Sequence, residues 1–178
     1  MKKTHSIIML IVSLAVSLTS LAQTKTTEIT VDFKIRNLGI NVDGYFKKAS
    51  ITTNFTSDDS SNWLLYGTVD TGSIDTDNKK RDAHLLKDDF FDVENYPEIT
   101  LKVTSFQKVS ETTYDALVNL TIKGITKAMK IPIEIIGDIN SFKLRSNFEI
   151  NRRDFDVGGG SLILSNTVKI RVNYLFKN

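Results

Sequence analysis

Ser73-Ile74-Asp75-Thr76-Asp77-Asn78-Lys79-Lys80-Arg81-Asp82-Ala83-His84-Leu85-Leu86-Lys87-Asp88-Asp89-Phe90-Phe91-Asp92-Val93-Glu94-Asn95-Tyr96-Pro97 is the one long stretch of this sequence that does not alternate like a β-strand. It opens with Thr76 and Asp77 at helix-capping positions and then brings Leu85, Leu86 and Phe90 to helical spacing. Tyr96-Pro97 ends it in an extended conformation. The pattern predicts one helix over residues 79–90. A lone helical plug in an otherwise all-β chain implies a barrel with one end covered.

On either side of that stretch, apolar residues recur with period two, the signature of strands with one wet face. Ile29, Val31, Phe33 and Ile35 oppose Thr30, Asp32, Lys34 and Arg36. A less regular segment runs from Asn41 to Phe55, and Gly44 within it reads as a bend or bulge in one long strand. A polar turn over 56–62 leads to Trp63, Leu65 and Val69, which share one side of the strand entering the helical stretch. Beyond Pro97 the alternation is clean. Ile99, Leu101 and Val103 share one face, as do Tyr114, Ala116, Val118, Leu120 and Ile122. Ile131, Ile133 and Ile135 follow, with Pro132 restricted to a strand start or an edge. Then come Phe142, Leu144, Phe148 and Ile150, and finally Val168, Ile170, Val172, Tyr174 and Phe176.

This makes about eight strands joined mostly by short turns. A sheet dry on one side must close on itself or stack on a second sheet. Closure satisfies the pattern with one layer, giving an eight-stranded antiparallel barrel with room for side chains or one slender ligand. A β-sandwich is the rival, and the meander over 98–137, with its hairpin-length turns, suits up-and-down closure better.

Residues 1–22 stand apart from the fold. Lys2 and Lys3 precede an apolar run from Ile7 to Leu18, and Ser20-Leu21-Ala22 places small residues where a signal peptidase reads. The run is short for a bilayer span, so a cleaved export signal is expected, with a periplasmic or secreted product. Residues 23–178 are then one domain, large enough for a real core. The full chain has 23 Lys+Arg and 21 Asp+Glu, and removing Lys2 and Lys3 leaves 21 of each. A neutral chain with no basic stripe broken by aromatics argues against nucleic-acid binding. There is no cysteine, hence no disulfide, thiolate nucleophile or lipid-modified N-terminal cysteine.

Few residues could do chemistry. His84 is the one histidine after residue 22, and no Ser sits in a Gly-x-Ser-x-Gly elbow. A lone histidine beside a helix more often donates to a carbonyl or carboxylate than acts as a base. Asp82, His84 and Asp88 do not share one helix face at chelating distance, so no metal is expected. The pairs Asp58-Asp59 and Asp88-Asp89 read as solvated turns, and Asp75 and Asp77 as helix caps. Gly158-Gly159-Gly160-Ser161 lacks the Gly-Lys-Ser/Thr ending of a phosphate loop and reads as a flexible connection between strands. The sequons at Asn54 and Asn119 read as chance matches. Arg81-Asp82 and Arg152-Arg153-Asp154 read as ion pairs, with an anionic or carbonyl head group at Arg81 or Arg153 as the functional alternative.

Four motifs in order carry a family resemblance. Val42-Asp43-Gly44-Tyr45-Phe46 comes first, followed in the helical stretch by Ser-Ile-Asp-Thr, Arg-Asp-x-His-Leu, Phe-Phe-Asp-Val and Tyr-Pro-x-Ile. Leu120-Thr121-Ile122-Lys123-Gly124-Ile125-Thr126-Lys127 and Ile150-Asn151-Arg152-Arg153-Asp154-Phe155 complete the set. Together they resemble the YceI-like family of lipocalin-like, polyisoprenoid-binding proteins. The resemblance implies an exported eight-stranded barrel holding a long isoprenoid such as a quinone tail or polyprenyl chain, and the sparse catalytic inventory leads to the expectation of no enzymatic step and no cofactor. Its ligand-facing interior would include Phe33, Ile35, Trp63, Leu101, Val103, Ala116, Val118, Leu120, Phe148, Val172 and Tyr174, and its mouth Arg81, His84, Phe90, Phe91, Tyr96 and Arg153. There are departures. Glu28 and Asn37 stand where the family usually has histidines, and Asp156 where it has a glycine, which puts the choice of head group in question. Two other functions fit an apolar inner face: a self-filled barrel acting as a stress-related interaction protein, and an enzyme working on a lipid head group. A homodimer is left open.

Export predicts a processed protein beginning at Gln23. Intact mass of the exported material checks this, and a form still carrying Lys2 would contradict it.

Overall fold

Alternation along each strand turns one row of side chains inward, and the chain folds as one curled antiparallel sheet to bury that row. The computed structural model of the protein describes residues 26–55 and 60–178. The leader expected over 1–22, Gln23, and most of the polar turn expected over 56–62 lie outside the described residues. Among the described residues there are ten strands, in sheet order β3-β4-β6-β7-β8-β9-β10-β1-β2-β5. They are β1 (Thr26–Asn37), β2 (Ile40–Phe46), β3 (Ala49–Thr53), β4 (Leu65–Asp70), β5 (Ile74–Asp75), β6 (Glu98–Lys108), β7 (Thr113–Ile122), β8 (Ile125–Asp138), β9 (Ser141–Asn151) and β10 (Leu164–Lys177). The two ends of the chain pair across one seam, from Thr26 opposite Lys177 to Asn37 opposite Leu164.

The expected count of about eight becomes ten for two reasons. The long strand expected from Asn41 to Phe55 is cut at Lys47-Lys48, both exposed. Inward residues are even-numbered before the cut (Val42, Gly44, Phe46) and odd-numbered after it (Ala49, Ile51, Thr53). That change of parity needs one extra outward residue, so a continuous strand is impossible. The second addition is the two-residue β5, which pairs Ile74 with Phe46 and Asp75 with Tyr45. β2 pairs with β1 and β3 with β4, so the bent chain carries the sheet round from one edge to the other. Ser73 O accepts the Lys47 N–H at 3.1 Å and Lys48 O accepts the Asp70 N–H at 3.0 Å, fastening the corner.

Gly44 is not the bend. It sits in regular register opposite Phe33, and a Cβ there would lie 2.3 Å from the Phe33 ring. Its missing side chain makes room for that ring.

The helix is shorter than expected. α1 spans Lys79–Leu85, and the chain then continues in turns. Its N-cap is Asn78, whose Oδ1 accepts the Arg81 N–H, rather than Thr76 or Asp77. Asp75 Oδ1 instead accepts the Asp77 N–H in a local turn, leaving Asn78 to cap. At the far end Asp88 Oδ1 takes the Asp89 N–H at 2.9 Å, a side-chain competitor for the helical ladder.

Pro132 lies mid-strand yet costs no ladder bond on the β9 side. β8 pairs β9 only from Glu134 to Asp138, so at Pro132 the two strands have parted. The freed Pro132 carbonyl accepts the buried Ser146 hydroxyl at 2.6 Å. The gap is packed by the 3₁₀ turn Arg152–Phe155, whose Phe155 is buried with Leu120, Ile122 and Val157.

Ser146→Ala leaves the Pro132 carbonyl without its donor. The expected loss is about 1–2 kcal/mol, read from the urea midpoint with an unchanged slope.

Candidate functional site

The interior divides into a filled end and an empty one. At the end where the 6–7 and 8–9 hairpins turn, Phe55, Trp63, Phe106, Tyr114, Phe142, Tyr174 and Phe176 form one aromatic cluster, with centroids such as Phe55–Trp63 at 4.7 Å and Phe142–Phe176 at 5.2 Å. Burial pushes the Tyr174 phenol above its ordinary pKa. Phe106 reaches this cluster because the 6–7 register shifts between Val103 and Ser105, which turns the next aromatic inward.

Toward the helix, phenylalanine and aliphatic side chains line the wall and leave space between them. An outer cavity of about 360 Å³ lies among Phe33, Ile35, Val42, Phe46, Phe90, Phe91 and Val168, within the range of roughly 300–1,000 Å³ usual for ligand pockets. An inner cavity of about 120 Å³ adjoins it, bounded by residues such as Val31, Ile51, Leu101, Phe148 and Val172. Phe46, Ile99, Ile122, Ile150 and Ile170 border both, forming a throat between them. α1 and the turns after it supply Arg81, His84, Leu85, Phe90 and Phe91 to the outer wall. At the rim Leu38, Ile40 and Ile163 are exposed, and the Leu38 N–H donates to Ile163 O at 2.9 Å.

The residues expected to face ligand fall into two groups. Phe33 and Ile35 line the outer cavity; Leu101, Leu120, Phe148 and Val172 line the inner one. Trp63, Val103, Ala116, Val118 and Tyr174 border neither and pack in the filled half, where Ala116 is 0 % exposed. Of the expected mouth residues, Arg81, His84, Phe90 and Phe91 line the outer cavity. Tyr96 lies outside it, its ring against Gly124, which has φ +72°. Arg153 is exposed and flanks Gly160. Glu28 is exposed on the far part of β1, whereas Asn37 lines the outer cavity with a buried Oδ1 that no described residue satisfies. Asp156 adopts φ +53°, the left-handed conformation that explains a glycine elsewhere and that Asp tolerates.

Arg81 pins the helix to the barrel. Its Nε donates to Thr76 Oγ1 at 2.8 Å and its Nη2 to Thr76 O at 2.6 Å. The Thr76 hydroxyl in turn donates to Asp82 Oδ1 at 2.5 Å. His84 Nε2 is held 2.8 Å from Asp89 Oδ2 and edge-on to Phe90, a structural tether with no nucleophile beside it. Among the described residues no three His, Cys, Asp or Glu side chains cluster to hold a metal. Nor is any described helix long and apolar enough to cross a membrane.

Arg152 is the residue that sequence reasoning passed over in favour of Arg153. It is 3 % exposed, and all five of its N–H groups are engaged. Nε donates to Ser165 O, Nη1 to Val157 O and Gly159 O, and Nη2 to Leu164 O and Asn166 Oδ1. Burial, then the neighbouring Arg153 charge, lowers its pKa from the ordinary arginine value. The glycine-rich connection over 157–166 is therefore fastened to one guanidinium at Val157, Gly159, Leu164, Ser165 and Asn166. The signal was available: Arg152 continues the inward row Phe142, Leu144, Ser146, Phe148, Ile150.

A YceI-like domain matches residues 22–176. The chain belongs to the YceI-like family. Curated YceI-like relatives include a UPF0312 protein of Pectobacterium atrosepticum and Protein YceI of Salmonella arizonae, each 32% identical over 108 residues. Those matches cover 60% of this chain and 56% of each relative, so it spans little more than half the length of either. Among solved structures, Burkholderia cenocepacia BcnA superposes with a TM-score of 0.78 at 22% identity, covering 83% of this chain and 95% of BcnA. The Campylobacter jejuni YCEI protein gives a TM-score of 0.69 at 27% identity, over 78% of this chain and 86% of that one. A polyisoprenoid binding domain from Saccharophagus degradans, implicated in plant cell wall breakdown, gives 0.70 at 12% identity, over 87% and 98% of the two chains. BcnA and the Saccharophagus domain establish the shared YceI-like barrel fold.

Arg152→Leu strands five acceptors around the clip. A loss of about 3 kcal/mol in unfolding free energy is expected by urea titration, with faster proteolysis in the loop over 157–166.

Proposed function

We propose that this protein is an exported carrier that holds a long-chain isoprenoid lipid in its barrel and performs no chemistry on it. The observation that carries this reading is the pair of adjoining cavities, walled by aliphatic and aromatic side chains, in a chain whose other end is solidly packed. Such a space favours hydrocarbon over water, at about 0.8 kcal/mol for each buried CH₂. Membership of the YceI-like family and the polyisoprenoid binding of the Saccharophagus neighbour support an isoprenoid in particular. The leader pattern over 1–22 supports export to the periplasm or beyond. His84, tied to Asp89 with no partner nucleophile, supports binding over catalysis.

The self-filled reading gains one observation of its own. The aromatic cluster occupies half the interior, so the ligand reaches the throat and the inner cavity but not the far end. The bound chain is accordingly limited in length.

Organic extraction of protein purified from its native host, followed by mass spectrometry, identifies the occupant. With geraniol, farnesol and geranylgeraniol, affinity is expected to rise with each isoprene unit by a few kcal/mol at most, reduced by chain ordering. It then levels off once the inner cavity is full. Val172→Phe, at the inner wall, moves that plateau to a shorter chain. Calorimetric titration reads both effects, and an affinity flat with chain length contradicts the carrier.

A further inference from the structure

The outer cavity wall carries two guanidinium groups and no carboxylate. Arg81 and Arg152 both line it, and neither Asp nor Glu does. Buried charges are normally paired, because an unpaired one loses its hydration without recovering it. Arg152 departs from that rule. Its five partners are four backbone carbonyls and one side-chain amide, all neutral. Its donors are spent, yet its charge is left uncompensated beside an apolar space.

Arg81 supplies what Arg152 lacks, a free donor. Only its Nε and Nη2 are used, both on Thr76, and its Nη1 makes no hydrogen bond among the described residues. Asp82 reaches it only through the Thr76 hydroxyl. Asn37, on the same cavity wall, keeps a buried Oδ1 without a partner. A carboxylate has the oxygens to meet a guanidinium, and a phosphate monoester monoanion has in addition a hydroxyl to meet an amide oxygen.

We propose that the outer cavity selects lipids with an acidic head, a carboxylate or a phosphate, seating that head against the unused Nη1 side of Arg81. Arg152 contributes the field of its charge without a contact. The inference rests on the carrier reading and narrows it from any isoprenoid to an acidic one.

Farnesol, farnesoic acid, farnesyl phosphate and farnesylamine share one apolar chain and differ only in the head. Titrated against the wild-type protein, either acid or both should bind roughly ten- to a hundredfold tighter than farnesol, with farnesylamine weakest. A gain confined to one acid assigns the head to that class. The ratio of acid to alcohol affinity should fall toward one in Arg81→Gln and survive in Arg81→Lys. It should also survive in Arg145→Gln, whose exposed side chain pairs with Glu134 away from the cavity. Farnesol binding as tightly as the acids overturns acidic selection and leaves the isoprenoid carrier standing. A full ratio retained in Arg81→Gln overturns the seat at Arg81. If none of the four binds, and geranylgeraniol does not either, the carrier reading falls and this inference with it. The wild-type comparison is decisive even where a variant fails to fold.

Discussion

A sheet with one dry face cannot exist alone in water, and this requirement organises the whole molecule. Every strand from β1 to β10 presents its apolar row to the same interior, and the sheet curls until the row is hidden. The places where the inward row breaks its own rule are the places with structural consequences. Parity changes at Lys47-Lys48, and there the sheet turns its corner. A bulge after Val103 delivers Phe106 to the aromatic cluster. Ser146 and Arg152 are polar members of the inward row: Ser146 satisfies a carbonyl where β8 and β9 part, and Arg152 satisfies carbonyls of the connection into β10.

The packing of the rings differs between the two ends of the interior, and that difference leaves the cavity. Aromatic rings fill one half by tilted and edge-on packing. Toward the helix Ile and Val share the wall with Phe33, Phe46, Phe90 and Phe91, which line the space instead of filling it. Gly44 fits the same logic, since its bare backbone lets the Phe33 ring lie flat against β2 instead of crossing the space. The helix then roofs the opening, held by the Arg81–Thr76–Asp82 chain and by Lys47 pairing with Asp75 at 2.5 Å. That last pair joins an exposed lysine to a half-buried aspartate and positions more than it stabilises.

Alternation alone made most of the strands, their inward faces and the curled, barrel-like sheet legible. It could not tell which inward residues touch empty space. Ala116 and Val172 carry the same sequence signal, yet one is locked in the core and the other lines a cavity. That distinction depends on neighbours across the barrel, set by pairings far apart in sequence. The helix end was obscured because Phe90 and Phe91 keep helical spacing while the backbone has already turned. Arg153 drew attention as a charged neighbour of Asp154, but strict counting of the inward register points to Arg152.

The seam between β1 and β10 sets the order in which the molecule can form. Its two members are the first and last strands, so the longest-range contacts in the chain are also the ones that shut the barrel. Until residues 164–177 are available, β1 and β9 are bare edges with unpaired amides and carbonyls facing water. A partly made chain therefore has everything except its closure, and it stays adhesive until the end. Once the seam is zipped, Thr26 lies opposite Lys177 and the bare edges of β1 and β9 vanish together. Completion and protection are one event.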